Sequence, residues 1–213
     1  MSTLTAIPDL VRIENCSRPE TMAMMREMTR PKWDHEEIFG RYCSLSDHID
    51  APPREVYEYM ADPRSLVEWT LTLRRLTETD EPGLWAGEEM LCDDSSKIYV
   101  RTLANPEAMT VDYHCAWDQG EHLWMIYLLR VVDAELVLNR PGSVVLWTNC
   151  RHPFYQENPW PDLAASPNRP WVGEFWDLFY AAHWVELQNL KKICEHRHSH
   201  GQPIAPEWSK EDA

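Results

Sequence analysis

Residues 46–73 read SDHIDAPPREVYEYMADPRSLVEWTLTL, and their pattern sets the organisation of the chain. An extended run breaks at Asp50-Ala51-Pro52-Pro53. A short helix is predicted over 54–61, a second break at Asp62-Pro63, a further helical turn over 64–69, and then a strand. Proline opens a helix well because its missing N–H would have no partner in the first turn. Asp50 and Asp62 stand where a side-chain oxygen can accept from the first free N–H groups of each helix. Val56, Tyr57 and Met60 fall on one helical face, and Leu66, Val67 and Trp69 give the next turn an apolar side.

The stretch resembles the opening of the SRPBCC superfamily, also called START-like or polyketide cyclase/dehydrase-like. Ile49, Ala51, Pro52, Val56, Tyr57, Tyr59, Met60, Ala61, Asp62, Pro63, Leu66 and Trp69 carry the resemblance. It implies a curved antiparallel sheet gripping a C-terminal helix, with a cavity between them and two short helices closing one end. The rest of the chain fits through its order of elements.

Working outward, the first strand is predicted over 42–49. Strands over 70–77, 84–93, 97–103, 109–117, 122–132 and 143–151 follow. Turns fall at Asp80-Glu81-Pro82-Gly83, Asp94-Ser95-Ser96, Asp118-Gln119-Gly120-Glu121 and Asn139-Arg140-Pro141-Gly142. Residues 136–138 read as continuing the sixth strand past Asp133. A long helix is predicted over 171–196, stopped by Gly201-Gln202-Pro203. Periodicity alone gives an α+β chain with an antiparallel sheet. The resemblance makes this a helix-grip fold, a seven-stranded curved sheet around the long C-terminal helix. Residues 1–39 form an arm with a short helix from Pro19. Its Met22, Met24, Met25 and Met28 suit packing on the domain or capping a pocket mouth. Residues 40–198 form the helix-grip domain, with a Pro-rich loop insertion at 153–170, and 199–213 are a polar tail.

The 213 residues carry 35 Asp and Glu against 20 Lys and Arg, a formal net charge of −15. Such a surface repels phosphates, which excludes nucleic acid and anionic membrane surfaces as partners. No apolar run reaches the roughly 18 residues of a spanning helix. The N-terminus shows no signal-peptide pattern. Six cysteines without a CxxC pair fit free thiols in a reducing cytoplasm. Eleven tryptophans can fill a core or line a cavity for a planar apolar ligand. The strand over 122–132 is apolar on both faces, so its outer face is expected to be covered by the N-terminal arm or by a second copy in a homodimer.

A sheet wrapped on one helix leaves interior space for a hydrophobic small molecule. Trp69, Trp124, Trp147, Phe175 and Phe179 are the expected ligand-binding residues. Acid–base chemistry on a carbonyl compound needs only one or two polar groups in such a cavity. His114, Tyr127 and His183 are the candidates to move the proton, and Arg101 to hold the resulting enolate oxygen. Each is also an ordinary structural residue type. The resemblance implies cyclase or dehydratase chemistry on an aromatic or polyketide-like substrate in specialised biosynthesis, without an organic cofactor. One alternative is a carrier or sensor of a lipid or other apolar ligand. Another is an enzyme using a divalent metal ion held by the strand histidines His114, His122 and His152, with His183 and Glu186 at i and i+3 as further donors. A two-residue turn at Gln119-Gly120 would set Met125 opposite His114 and turn His114 and His122 to opposite faces. The run from Cys194 to His200 reads as a metal tract or as cations at a helix C-terminus. Phosphate loops, dinucleotide fingerprints and HExxH are absent. So are the cluster and iron motifs of Rieske oxygenases, which excludes that branch of the superfamily.

Overall fold

The structure, a computed structural model, describes residues 4, 7–14, 16–30, 41–90, 96–163 and 171–208, the side chains of Thr29, Glu174, Phe175 and Asp177 excepted. Residues 31–39 of the arm, the turn at Asp94-Ser95, Cys92, residues 164–170 of the Pro-rich loop and the last residues of the tail lie outside that description. Helix α1 spans Arg18–Thr29 and β1 Tyr42–Ile49. The deciding stretch then gives α2 (Pro53–Ala61), a 3-10 turn (Pro63–Ser65) and α3 (Leu66–Trp69). Asp62 caps the second of these, its carboxylate accepting from Arg64 N–H at 3.0 Å. Asp50 does not cap the first: Pro52 stands at that position, and Asp50 N–H instead donates to Glu195 at 2.8 Å.

Strands β2 (Leu73–Glu78), β3 (Leu84–Glu89), β4 (Ser96–Asn105), β5 (Thr110–Trp117), β6 (Met125–Asp133) and β7 (Ser143–Cys150) complete the sheet. Helix α4 (Ala134–Leu138) lies between β6 and β7. The strand order is β1-β7-β6-β5-β4-β3-β2, every pair antiparallel, so β1 and β2 are edges. A 3-10 segment, Val172–Leu178, leads into α5 (Phe179–Ser199), which packs along β1. The fold is α+β: a seven-stranded antiparallel sheet with a long C-terminal helix. Gly201, at φ +64, ends α5; an L-residue is strained there.

Alternation sorts each strand. Tyr113 pairs with Tyr127 and Cys115 with Met125, and these face inward with Val100. Their neighbours His114 and Arg101, paired with each other, face outward. In β2 a bulge between Arg74 and Thr77, with Arg75 at φ +53, turns both Leu73 and Leu76 inward. Gly87 on β3 meets them there: a Cβ at Gly87 would lie 2.7 Å from Leu73 Cδ1 and 3.0 Å from Arg74 O.

The sixth strand departs from its expected form at both ends. It starts at Met125, because residues 118–124 form a loop in which Asp118 (φ +55) and Gly120 (φ +60) both take left-handed backbone. The register is therefore His114 opposite Ile126, one residue off the two-residue-turn expectation. At the other end Asp133 accepts from Glu135 N–H at 3.0 Å and Asn139 closes the turn at φ +51. Residues 134–138 are thus a helical turn instead of a strand extension. The described part of the arm does not cover the outer face of β6, where Leu128 is 44% exposed. It crosses the other side of the sheet. Asn189 of α5 clips Val11 through its N–H (3.1 Å) and its C=O (2.6 Å), and Ile13 N–H donates to Leu71 O at 2.9 Å.

Candidate functional site

A cavity of about 130 Å³ lies between the inner face of the sheet and α5. Trp69 and Leu71 close one end. Val100, Tyr113, Cys115, Tyr127 and Trp147 come from the sheet, and Phe179, His183 and Glu186 from α5. Met25 of α1 also reaches the wall and is buried, so the Met-bearing arm helix does serve as part of the enclosure. Trp69 is held by an N–H donation to Ser65 Oγ at 3.3 Å and stands edge-on to Trp147, ring centres 5.6 Å apart.

The polar centre of the cavity is a pair one helical turn apart. His183 Nδ1 lies 2.9 Å from Glu186 Oε2, and Glu186 Oε1 accepts from Leu71 N–H at 2.9 Å. An ionised carboxylate only accepts, so Nδ1 of a neutral His183 carries the proton and Nε2 keeps its lone pair. Nε2 is buried and makes no hydrogen bond to the described residues. His183 as a residue is 8% exposed. Trp147 stacks on it at 4.8 Å, Phe179 lies at 4.9 Å, and Tyr127 stands edge-on at 5.4 Å. Ring contacts on three sides and a carboxylate on Nδ1 fix its orientation.

Tyr127 is hydrogen-bonded to Tyr155. Burial, helped by the charge of neighbouring groups, holds its hydroxyl well above the usual tyrosine range, so it stays neutral. Tyr113 donates to Met60 O at 2.6 Å and ties α2 to the sheet. Cys43, beneath the site on β1, is pushed up to about 12 by burial and by the Glu186 charge.

Other expected site residues fall elsewhere. His114 and Arg101 share the outer face, and Arg101 is ion-paired to Glu81; the register corrects their expected position at the cavity. Trp124 does not line the cavity; it is stacked on Trp171 at 5.7 Å and edge-on to Tyr155 at 4.7 Å, behind the cavity residues Tyr127 and Phe179. The side chain of Phe175 lies outside the described residues. The strand histidines are not gathered into a metal site. His122 stacks on Trp160 at 4.6 Å, and His152 Nδ1 accepts from Phe154 N–H at 3.2 Å. Among the described residues no group of three or more His, Cys, Asp or Glu could hold a metal ion. At the end of α5, His196 and His200 stack on each other at 4.2 Å.

A buried ion pair that sequence reasoning missed braces the far end of the site. Glu68 of α3 takes two hydrogen bonds from Arg197 of α5, both 2.9 Å, and one from Tyr59 Oη at 2.6 Å. Its members are 129 residues apart, and no local pattern signals it.

The aromatase/cyclase Zhui from Streptomyces sp. R1128 superimposes on the chain with a TM-score of 0.52 at 14% identity, covering 76% of this chain and 98% of that one. The fold is the helix-grip fold that this aromatase/cyclase has. Two further solved SRPBCC-type structures are similar. DynU16, from the dynemicin biosynthetic locus, has a TM-score of 0.46 at 13% identity, covering 81% of this chain and 52% of its own. KanY has 0.47 at 13%, covering 74% and 99%. No family model matches the chain, and no curated protein does. At these identities the SRPBCC likeness speaks to the fold. No described helix is long and apolar enough to cross a membrane.

Proposed function

We propose that this helix-grip protein binds an apolar, ring-containing small molecule in the cavity and performs acid–base chemistry on it, of the cyclisation or dehydration type. The observation that carries the reading is His183 Nε2, a buried nitrogen without a partner among the described residues in an aromatic cavity, backed by Glu186. The aromatase/cyclase neighbour supports the reaction class. Nε2 takes a proton from carbon next to a carbonyl, and the C–H electron pair becomes the enolate. Glu186 stabilises the imidazolium that forms. The proton returns to carbon, or goes to a hydroxyl that leaves as water. Thr72 lines the cavity, and its hydroxyl is the donor for the enolate oxygen in place of Arg101, since the Tyr127 hydroxyl already donates to Tyr155. A pure carrier would need no oriented base, which weighs against the carrier alternative. The reading includes a reducing cytoplasm, supported by the free thiols of Cys43, Cys115 and Cys194. It also includes a homodimer through the outer face, supported by the exposure of Leu128 and Leu146; sedimentation equilibrium giving a monomer would remove that part.

The test uses cyclohexanone in D2O, with exchange of its α-protons followed by NMR. The protein accelerates exchange. His183→Ala lowers that acceleration by a factor of about 10²–10⁴, while His114→Ala leaves it unchanged. Equal exchange with and without protein, or full activity in His183→Ala, overturns the reading.

A further inference from the structure

The same cavity specifies its ligand more narrowly than the reaction class does, and the argument rests on the reading above. Size comes first. A cavity of about 150 Å³ lined by apolar side chains takes one benzene, and this one measures about 130 Å³. Its walls enclose a single ring, and the second ring of a fused polycycle would lie outside them. Charge comes second. The described lining includes two carboxylates, Glu89 and Glu186, and no lysine or arginine. Arg74, next to the lining residue Leu73, is spent on Glu14 at 2.8 Å and on the carbonyl oxygens of Thr70, Leu71 and Leu73. A ligand carboxylate or phosphate would be desolvated beside like charge with no counterion. Polarity comes third. Nε2 of His183 is an acceptor in want of a donor, more than nine-tenths buried within the cavity wall.

We propose that the cavity selects an uncharged single-ring molecule bearing one hydroxyl, which donates to His183 Nε2 while the ring packs against Trp147 and Trp69. The ligand class is therefore a small neutral phenol or cyclic alcohol, which includes the enol form and the hydroxylated product of a cyclic ketone substrate.

Isothermal titration of the full chain with phenol, anisole, benzoate and 1-naphthol tests this. Phenol and anisole both carry an oxygen on one ring, but only phenol donates. Phenol binds roughly tenfold more tightly than anisole, the worth of one hydrogen bond that would otherwise go unmade. Benzoate and 1-naphthol give no binding heat. In His183→Leu, checked for folding by circular dichroism, the phenol-to-anisole ratio falls to about one. Equal affinity of phenol and anisole for the unmodified protein overturns the proposal whether or not the variant folds, as does tighter binding of benzoate or 1-naphthol than of phenol. The two readings fail separately. Phenol binding without cyclohexanone exchange sinks the acid–base function and keeps the ligand class; exchange without phenol binding does the reverse.

Discussion

Replacing Glu68 by glutamine changes one oxygen of a buried side chain to an amide group, and the consequence follows from its surroundings. Glu68 is 3% exposed and Arg197 4%. The carboxylate accepts three hydrogen bonds, two from the guanidinium and one from Tyr59. Glutamine has one acceptor oxygen and two donor hydrogens, so at least one donor faces another. Arg197 keeps the Ile204 carbonyl at 2.8 Å and the Tyr59 ring at 5.4 Å, but its charge loses its counterion. Removing one member of such a pair costs about 3–5 kcal/mol. For a chain of this length that lowers Tm by about 6–20 °C. Urea unfolding followed by tryptophan fluorescence, with far-UV circular dichroism as a second probe of two-state behaviour, measures the loss directly. The double substitution Glu68→Leu with Arg197→Met removes both charges and costs less than the sum of the singles. A loss below about 1 kcal/mol for Glu68→Gln, the range of a solvent-screened surface pair, would refute the claim that this pair braces α5.

Gly87→Ala forces a Cβ to within 2.7 Å of Leu73 Cδ1, and overpacking of this kind costs about 1–3 kcal/mol by urea unfolding. Because Leu73 also lines the cavity, phenol affinity falls with it. Asn189→Ala removes three hydrogen bonds that hold Val11 and Trp69. Stability drops by about 1–3 kcal/mol, and hydrogen exchange of residues 7–14 accelerates ahead of the sheet. The Cys43 thiol is raised from 9.0 to about 12 by burial and the Glu186 charge. Its contribution to stability is therefore present in full below about pH 9, where neither folded nor unfolded thiol ionises, and is lost as pH climbs toward about 12. Across that window the Cys43→Ala protein loses stability less steeply than the unmodified protein, by about 1.4 kcal/mol per pH unit. An identical slope would mean that the thiol is not shielded.

The fold was legible because its signals are local. Paired prolines, an aspartate cap at Asp62 and the apolar faces of Val56, Tyr57, Met60 and Trp69 act within a few residues of one another, and so do the turn residues that separate the strands. What failed was register. The loop at 118–124 depends on left-handed backbone at Asp118, which no short-range pattern requires. His114 lies on the outer face because its β5 neighbours Tyr113 and Cys115 point inward, a choice of face that only the packed sheet decides. His183 and Glu186 were visible as an i, i+3 pair, but their role depends on Leu71 and Trp147 arriving from distant segments. The Glu68–Arg197 pair had no sequence signal at all, since Arg197 lies in a His-rich tract that reads equally well as a response to the helix dipole.

The central claim is that the cavity presents an imidazole nitrogen with a free lone pair, set by Glu186. Long-range proton–nitrogen NMR of uniformly 15N-labelled protein reads it directly, with the spectrum of the His183→Asn variant identifying the signal. The expected result is a proton-bearing Nδ1, an unprotonated Nε2, and a shift of Nε2 when phenol is added. A His183 with its proton on Nε2, or with an Nε2 signal that phenol leaves unmoved, would contradict the account.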